Sequence, residues 1–125
     1  MDYFAALGQL RDKLATISGV NTCAIGLETG LSPDDYPIIR LVPTRFSRID
    51  KERERMELTV YFGVPLTEAD QGLTAVYEQL ISLESAIKDA IHFGEGYSVM
   101  FVDTITDEDR LDHYKLFASR FQVVG

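Results

Sequence analysis

Residues 56–62 read Met56-Glu57-Leu58-Thr59-Val60-Tyr61-Phe62, with Met56, Leu58, Val60 and Phe62 alternating against Glu57, Thr59 and Tyr61. Side chains on a β-strand point to opposite faces in turn, so this pattern predicts a strand buried on one side. The residues before it, 47–55, carry Arg48, Asp50, Lys51, Glu52, Arg53, Glu54 and Arg55 and are too polar to pack. Before these, residues 38–46 return to strand chemistry. Pro43 within them has no N–H to give a ladder, which predicts an edge position or a bulge. The two strands predict a hairpin with a long charged tip.

Working outward, Thr67 is placed to cap a helix with Glu68 and Asp70 in its first turn. Ala69, Leu73, Val76, Leu80, Leu83, Ile87 and Ile91 recur every three or four residues and form one apolar stripe. Gly94 and Gly96 end this helix after His92. At the other end, Phe4, Leu7, Leu10, Leu14 and Ile17 predict a first helix over residues 2–17, stopped at Gly19. A short strand over 20–28, with Cys23, Ile25 and Leu27 on one face, follows it. Residues 29–37, rich in Gly, Pro, Ser and Asp, form a loop. After the long helix come a strand over 98–105, a charged turn over 106–111 and a last strand over 113–124. The order is α-β-β-β-α-β-β. It predicts a single α+β domain over 1–125, with a mainly antiparallel sheet and two helices on one face.

The chain has 125 residues and 46% hydrophobic composition, enough for one unstapled core. Twelve basic and twenty acidic groups give a net charge of −8, which repels nucleic acid and anionic membrane. Residues 1–39 carry −3, residues 40–55 carry +3 and residues 56–125 carry −8. Half of the basic groups therefore sit in sixteen residues. The single cysteine, Cys23, excludes an internal disulfide and multi-cysteine zinc. Neither a signal peptide nor an apolar run of about 18 residues is expected, so the chain reads as soluble, made in the cytoplasm, with no membrane partner.

The candidate chemistry is thin. His92, His113 and Cys23 lie in different elements. A Cys/His pair meets only in a fold, and the ordinary account has His92 answering a helix dipole and Cys23 as a small buried hydrophobe. Asp103, Asp107, Glu108, Asp109 and Asp112 lack the alternation, central glycine and closing glutamate of an EF-hand loop, and a solvated turn accounts for them better. Gly94-Glu95-Gly96 follows a helix and has no Gly-Lys-Ser/Thr ending, so it is not a phosphate loop. No catalytic residue, cofactor or metal is expected.

Surface features carry more. Glu84 and Lys88 stand in the favourable i, i+4 order, but Ile81 falls outside the helix stripe and either widens the core face or marks a contact. On the last strand Tyr114, Leu116 and Ala118 lie on one side and Phe117, Phe121 and Val123 on the other, which suggests that a second subunit covers one face. The cluster Arg40, Arg45, Arg48, Lys51, Arg53 and Arg55 has an ordinary account as a hairpin tip guarded by charge. A sharper account is a basic arm that docks on the acidic surface of an identical neighbour. The expected interface set is Arg45, Arg48, Lys51, Arg53, Arg55, Ile81, Phe117 and Phe121.

In layout, nearly the whole chain resembles the tail terminator and tail completion (head-tail joining) proteins of long-tailed bacteriophages. The likeness consists of a starting helix ending in Ser18-Gly19-Val20, a Pro/Asp-rich loop, the charged hairpin from Arg45 to Arg55 leading into residues 56–62, a long helix from Thr67 and two closing strands. The resemblance implies a virion subunit of the tail and neck that forms a hexameric ring on the tail tube, stops its growth and meets the head connector. Its partners would be itself, tail-tube protein and connector protein. Two other classes stay open: a small enzyme or ligand-binding domain using Cys23 or His113, and an adaptor that binds another protein by the sheet edge.

Overall fold

The computed structural model describes the backbone at residues 2–26, 35, 37–65, 72–91, 93–94, 96–111 and 114–125. Side chains are described there except at 65, 72, 73, 93, 94, 107–111 and 114. The elements are α1 (Tyr3–Ala15), β1 (Thr22–Ile25), β2 (Ile38–Arg48), β3 (Glu54–Pro65), α2 (Gly72–Ala90), β4 (Phe93–Gly94), β5 (Tyr97–Leu111) and β6 (Tyr114–Val124). The expected α+β order holds, with the two-residue β4 added after α2. One sheet runs β1-β2-β3-β6-β5-β4, antiparallel except for β1 with β2.

β3 is the strand that residues 56–62 predict, and it lies between β2 and β6 along its length. Met56, Leu58, Val60, Phe62 and Val64 are all buried on its inner face. Beside them lie Ile39 and Leu41 from β2 and Phe117, Phe121 and Val123 from β6. Phe62 meets Phe117 edge-on at 5.8 Å between ring centres. α2 supplies Val76, Leu80, Leu83 and Ile87 to the same core, and Ile91, just past its end, joins them, as the stripe predicts. Thr67, Ala69 and the side chain of Leu73 lie outside the described residues.

α1 starts where Asp2 accepts a hydrogen bond from the Ala5 N–H at 3.0 Å, satisfying one donor the helix leaves open. It buries Ala6, Leu7, Leu10 and Leu14. Phe4 is 76% exposed and is not part of the core stripe; Ala6 and Leu7 take that face instead. The helix ends at Ala15, and Gly19 carries the positive φ of 87° expected of a stop. At the other end of α1, Tyr3 stacks on Phe46 of β2 at 4.4 Å.

The strand ends differ from the sequence expectations. β2 and β3 extend to Arg48 and Glu54, which shortens the expected tip to residues 49–53. Cross-strand pairs Arg48 with Glu54 and Ser47 with Arg55 continue the ladder, because main-chain bonds and the opposite charges of Arg48 and Glu54 hold a hairpin whose side chains are mostly polar. β5 likewise continues through residues 106–111, expected as a turn, and pairs Asp109, Arg110 and Leu111 with β6. The register shifts between Pro43 and Arg45 confirm the bulge expected at Pro43. Among the described residues nothing pairs with β2 on its outer side beyond Leu41, where β1 ends.

Replacing Phe62 with Ala is expected to cost about 3–5 kcal/mol by leaving a cavity in the core, whereas Phe4→Ala changes stability by no more than about 0.5 kcal/mol. Urea unfolding of both variants checks this, and a comparable loss at Phe4 contradicts the packing described.

Candidate functional site

The basic arm is an ordered element. At its tip the Asp50 carboxylate accepts hydrogen bonds from the Glu52 N–H at 2.9 Å and the Arg53 N–H at 2.8 Å, while its second oxygen pairs with Arg53 Nε at 2.8 Å. The Ile49 N–H closes the turn on the Arg53 carbonyl at 3.0 Å. The two backbone donors and the guanidinium hold the Asp50 carboxyl below its ordinary pKa. Arg45, Arg48, Lys51 and Arg53 are exposed, and Ile49 and Phe46 are exposed among them. Arg55 is half-buried, with Nε on the Ser47 hydroxyl at 3.3 Å. Five of the expected interface residues therefore stand on one hairpin.

Ile81 is 58% exposed on the outer face of α2, beside an open, mostly apolar hollow that Thr74, Tyr77, Glu78 and Ser82 also line. Phe117 and Phe121 are each only 2% exposed and do not belong with these surface residues. Both point inward with Val123, under α2, so their face of β6 is covered by this chain's own helix. The other face of β6 carries Ala118, Arg120 and Gln122.

The sheet has a feature that sequence reasoning missed. Among the described residues, β5 is paired on its outer side by β4 alone, at Tyr97 and Ser98. Met100, Phe101, Val102 and Ile105 on this strand are 52%, 44%, 45% and 39% exposed. The signal was the unbroken run Val99-Met100-Phe101-Val102, which lacks the alternation of a half-buried strand. A register shift between Phe101 and Asp103 places a bulge there. Nearby, Arg120 makes a double hydrogen bond to Asp103 and holds that carboxyl below its ordinary pKa. On the helix side, the Thr104 hydroxyl joins Glu84 at 2.8 Å and the buried Ser119 hydroxyl at 2.7 Å. Lys88 pairs with Glu84 at 2.8 Å, as expected, and lies over the Phe101 ring.

Cys23 is half-buried, and its thiol donates toward the Arg11 carbonyl at 3.5 Å. Burial pushes this thiol up to about 11, the opposite of what a nucleophilic cysteine needs. His92 and His113 lie outside the described residues, as do the side chains of Asp107, Glu108 and Asp109 and all of Asp112. Among the described residues no three His, Cys, Asp or Glu side chains converge on a metal-sized site, and no helix is long and apolar enough to cross a membrane. Neither a protein-family model nor a curated protein matches the chain.

The Cys23 thiol is expected to react slowly with a disulfide reagent at pH 8, because its pKa leaves about a hundredfold less thiolate than an ordinary cysteine has. The folded state holds this proton more tightly than the unfolded state. Its contribution is thus full below about pH 9 and declines as the pH rises toward 11. The stability difference between the wild type and Cys23→Ser should drift in that sense across this window; fast labelling at pH 8 contradicts the assignment.

Proposed function

We propose that this chain is a structural subunit that joins identical copies head-to-tail into a ring, acting as a tail terminator that caps the tail tube of a long-tailed bacteriophage and joins it to the head connector. The observation that carries the reading is the ordered basic arm on an acidic body. Residues 40–55 are net positive while the whole chain is at −8, and Asp50 fixes the turn that presents Arg48, Lys51 and Arg53 to solvent. A positive element and a negative surface on one molecule make a heterologous contact, which closes into a ring when the rotation per copy divides the circle. The layout resemblance supplies the ring number, six, and the site of action, the neck of the virion.

The charge balance suits a ring around passing DNA. Cationic walls would hold phosphates through counterion release, whereas carboxylates let them pass. The arm's cations are then spent on contacts between subunits or with the tube. The role is structural, and the inert environment of Cys23 supports that reading over thiol chemistry.

Light scattering of the purified protein, alone and with tail-tube protein, tests the proposal. The triple reversal Arg48→Glu, Lys51→Glu and Arg53→Glu is expected to abolish assembly and tail joining. The melting temperature should move only a few degrees, since exposed pairs contribute about 0–1 kcal/mol each. Tails that join normally with this variant remove the arm from the account, and a strict monomer with no affinity for tube protein overturns the ring.

A further inference from the structure

The basic arm and the apolar hollow on α2 lie at opposite ends of the body. Tyr77 of α2 packs on Phe117 of β6 with ring centres 5.9 Å apart, and Phe117 stands beside Phe62 of β3. Further along the helix, Glu84 meets Thr104 and Lys88 lies over Phe101, so α2 runs down the sheet with its N-terminal half at the level of Phe62. From there to Glu54, where β3 leaves the arm, the strand covers about 26 Å. The ladder between β2 and β3 continues out to Arg48 and Glu54, so the arm cannot fold back onto the hollow of its own chain.

The two surfaces are complementary. The hollow is built on Tyr77 and the exposed Ile81, with Thr74, Glu78 and Ser82 at its margins. α2 carries the carboxylates Glu78, Glu84 and Asp89 against one cation, Lys88, and Lys88 pairs with Glu84 at 2.8 Å. Glu78 and Asp89 are exposed. Lys115 lies over the Tyr77 ring at 5.2 Å but is itself buried, so it does not meet an incoming group. The arm tip has the converse character. Ile49 is 40% exposed there. Asp50 is turned back onto the Glu52 and Arg53 N–H groups and the Arg53 guanidinium, which spends the acid on holding the turn, while Lys51 is exposed beside it. An apolar side chain next to a cation thus matches an apolar hollow next to a carboxylate.

A second α2 fits the hollow less well than a second arm. Two helices packed antiparallel about Ile81 would set Glu78 of one copy opposite Glu84 of the other, and like charges so placed disfavour a contact.

We infer that the occupant of the α2 hollow is the arm tip of a second copy of this chain, with Ile49 seated on Ile81 and Tyr77 and with Lys51 paired to Glu78. The contact uses the arm end of one copy and the hollow end of the next, so it is head-to-tail. The inference rests on the ring reading and names the contact that builds the ring.

A charge swap tests it. Lys51→Glu and Glu78→Lys each set like charges together, and each should lower self-association of the purified protein at least about tenfold in sedimentation velocity. The double variant restores an opposite pair and should return to within about threefold of the wild type, because the two sites are coupled. Both positions are exposed, so all three variants should keep the wild-type circular dichroism spectrum. Cross-linking in a Cys23→Ser background then places the contact. Glu52→Cys with Ser82→Cys, exposed positions that flank the contact without forming it, should give a ladder of covalent multimers with a short bismaleimide, since the two lie too far apart to be bridged within one chain. Either single variant should stay monomeric on the gel. Efficient dimers from Ser82→Cys alone assign the hollow to a second α2 and overturn the inference. Self-association that is unchanged by the single reversals, that the swap does not restore, or that persists without the ladder also overturns it and leaves the ring to another surface. A chain that stays monomeric at every concentration overturns the ring reading as well.

Discussion

The hydrogen bonding of β3 on both of its sides constrains everything else in this fold. β3 is paired with β2 from Glu54 to Gly63 on one flank and with β6 from Arg55 to Pro65 on the other. Its five inward side chains form the floor on which α2 lies. A slip of one residue would turn Met56, Leu58, Val60, Phe62 and Val64 outward together, so the buried face holds the register. With the register held, the hairpin that enters β3 must project its charged tip past the end of the core.

That arrangement separates the molecule into a packed body and two kinds of exposed feature. The body is acidic, with both helices packed on one face of the sheet. The exposed features are the basic arm, ordered by Asp50, and, among the described residues, the stretches of β2 and β5 beyond the short β1 and β4. Both belong to the same run of strands, so a contact through one bears on the other. In a ring, the arm's charge would bring neighbours into approach and orient them. In the proposed ring the excess of carboxylates would stay available to face passing DNA, which it would repel.

Much of the fold was legible because its strongest signals are periodic. The alternation over 56–62 and the stripe from Val76 to Ile91 each fall on a real element with the expected face buried. Pro43 announced its bulge because a missing N–H has few places to go. The illegible parts are those where tertiary context decides. Phe4 fits the spacing of a core stripe but lies at the exposed start of α1. Residues 106–111 look like a turn by composition, yet a partner strand can hold polar residues in a ladder. Of the candidate surface, the arm and Ile81 could be read from charge and spacing. Phe117 and Phe121 could not, because apolar residues on both faces of a strand do not say which face the chain's own helix covers. The run Val99 to Val102 signals apolar residues on both faces of β5, but that they are exposed depends on how short β4 is, which no local pattern contains.

The central claim is that this chain closes on itself in a defined number of copies. Native mass spectrometry of the purified protein over a range of micromolar concentrations tests it most directly. The account predicts one dominant closed oligomer, of six copies, with no series of larger species beyond it. A protein that remains a monomer at every concentration, or that grows without limit into open filaments, contradicts it.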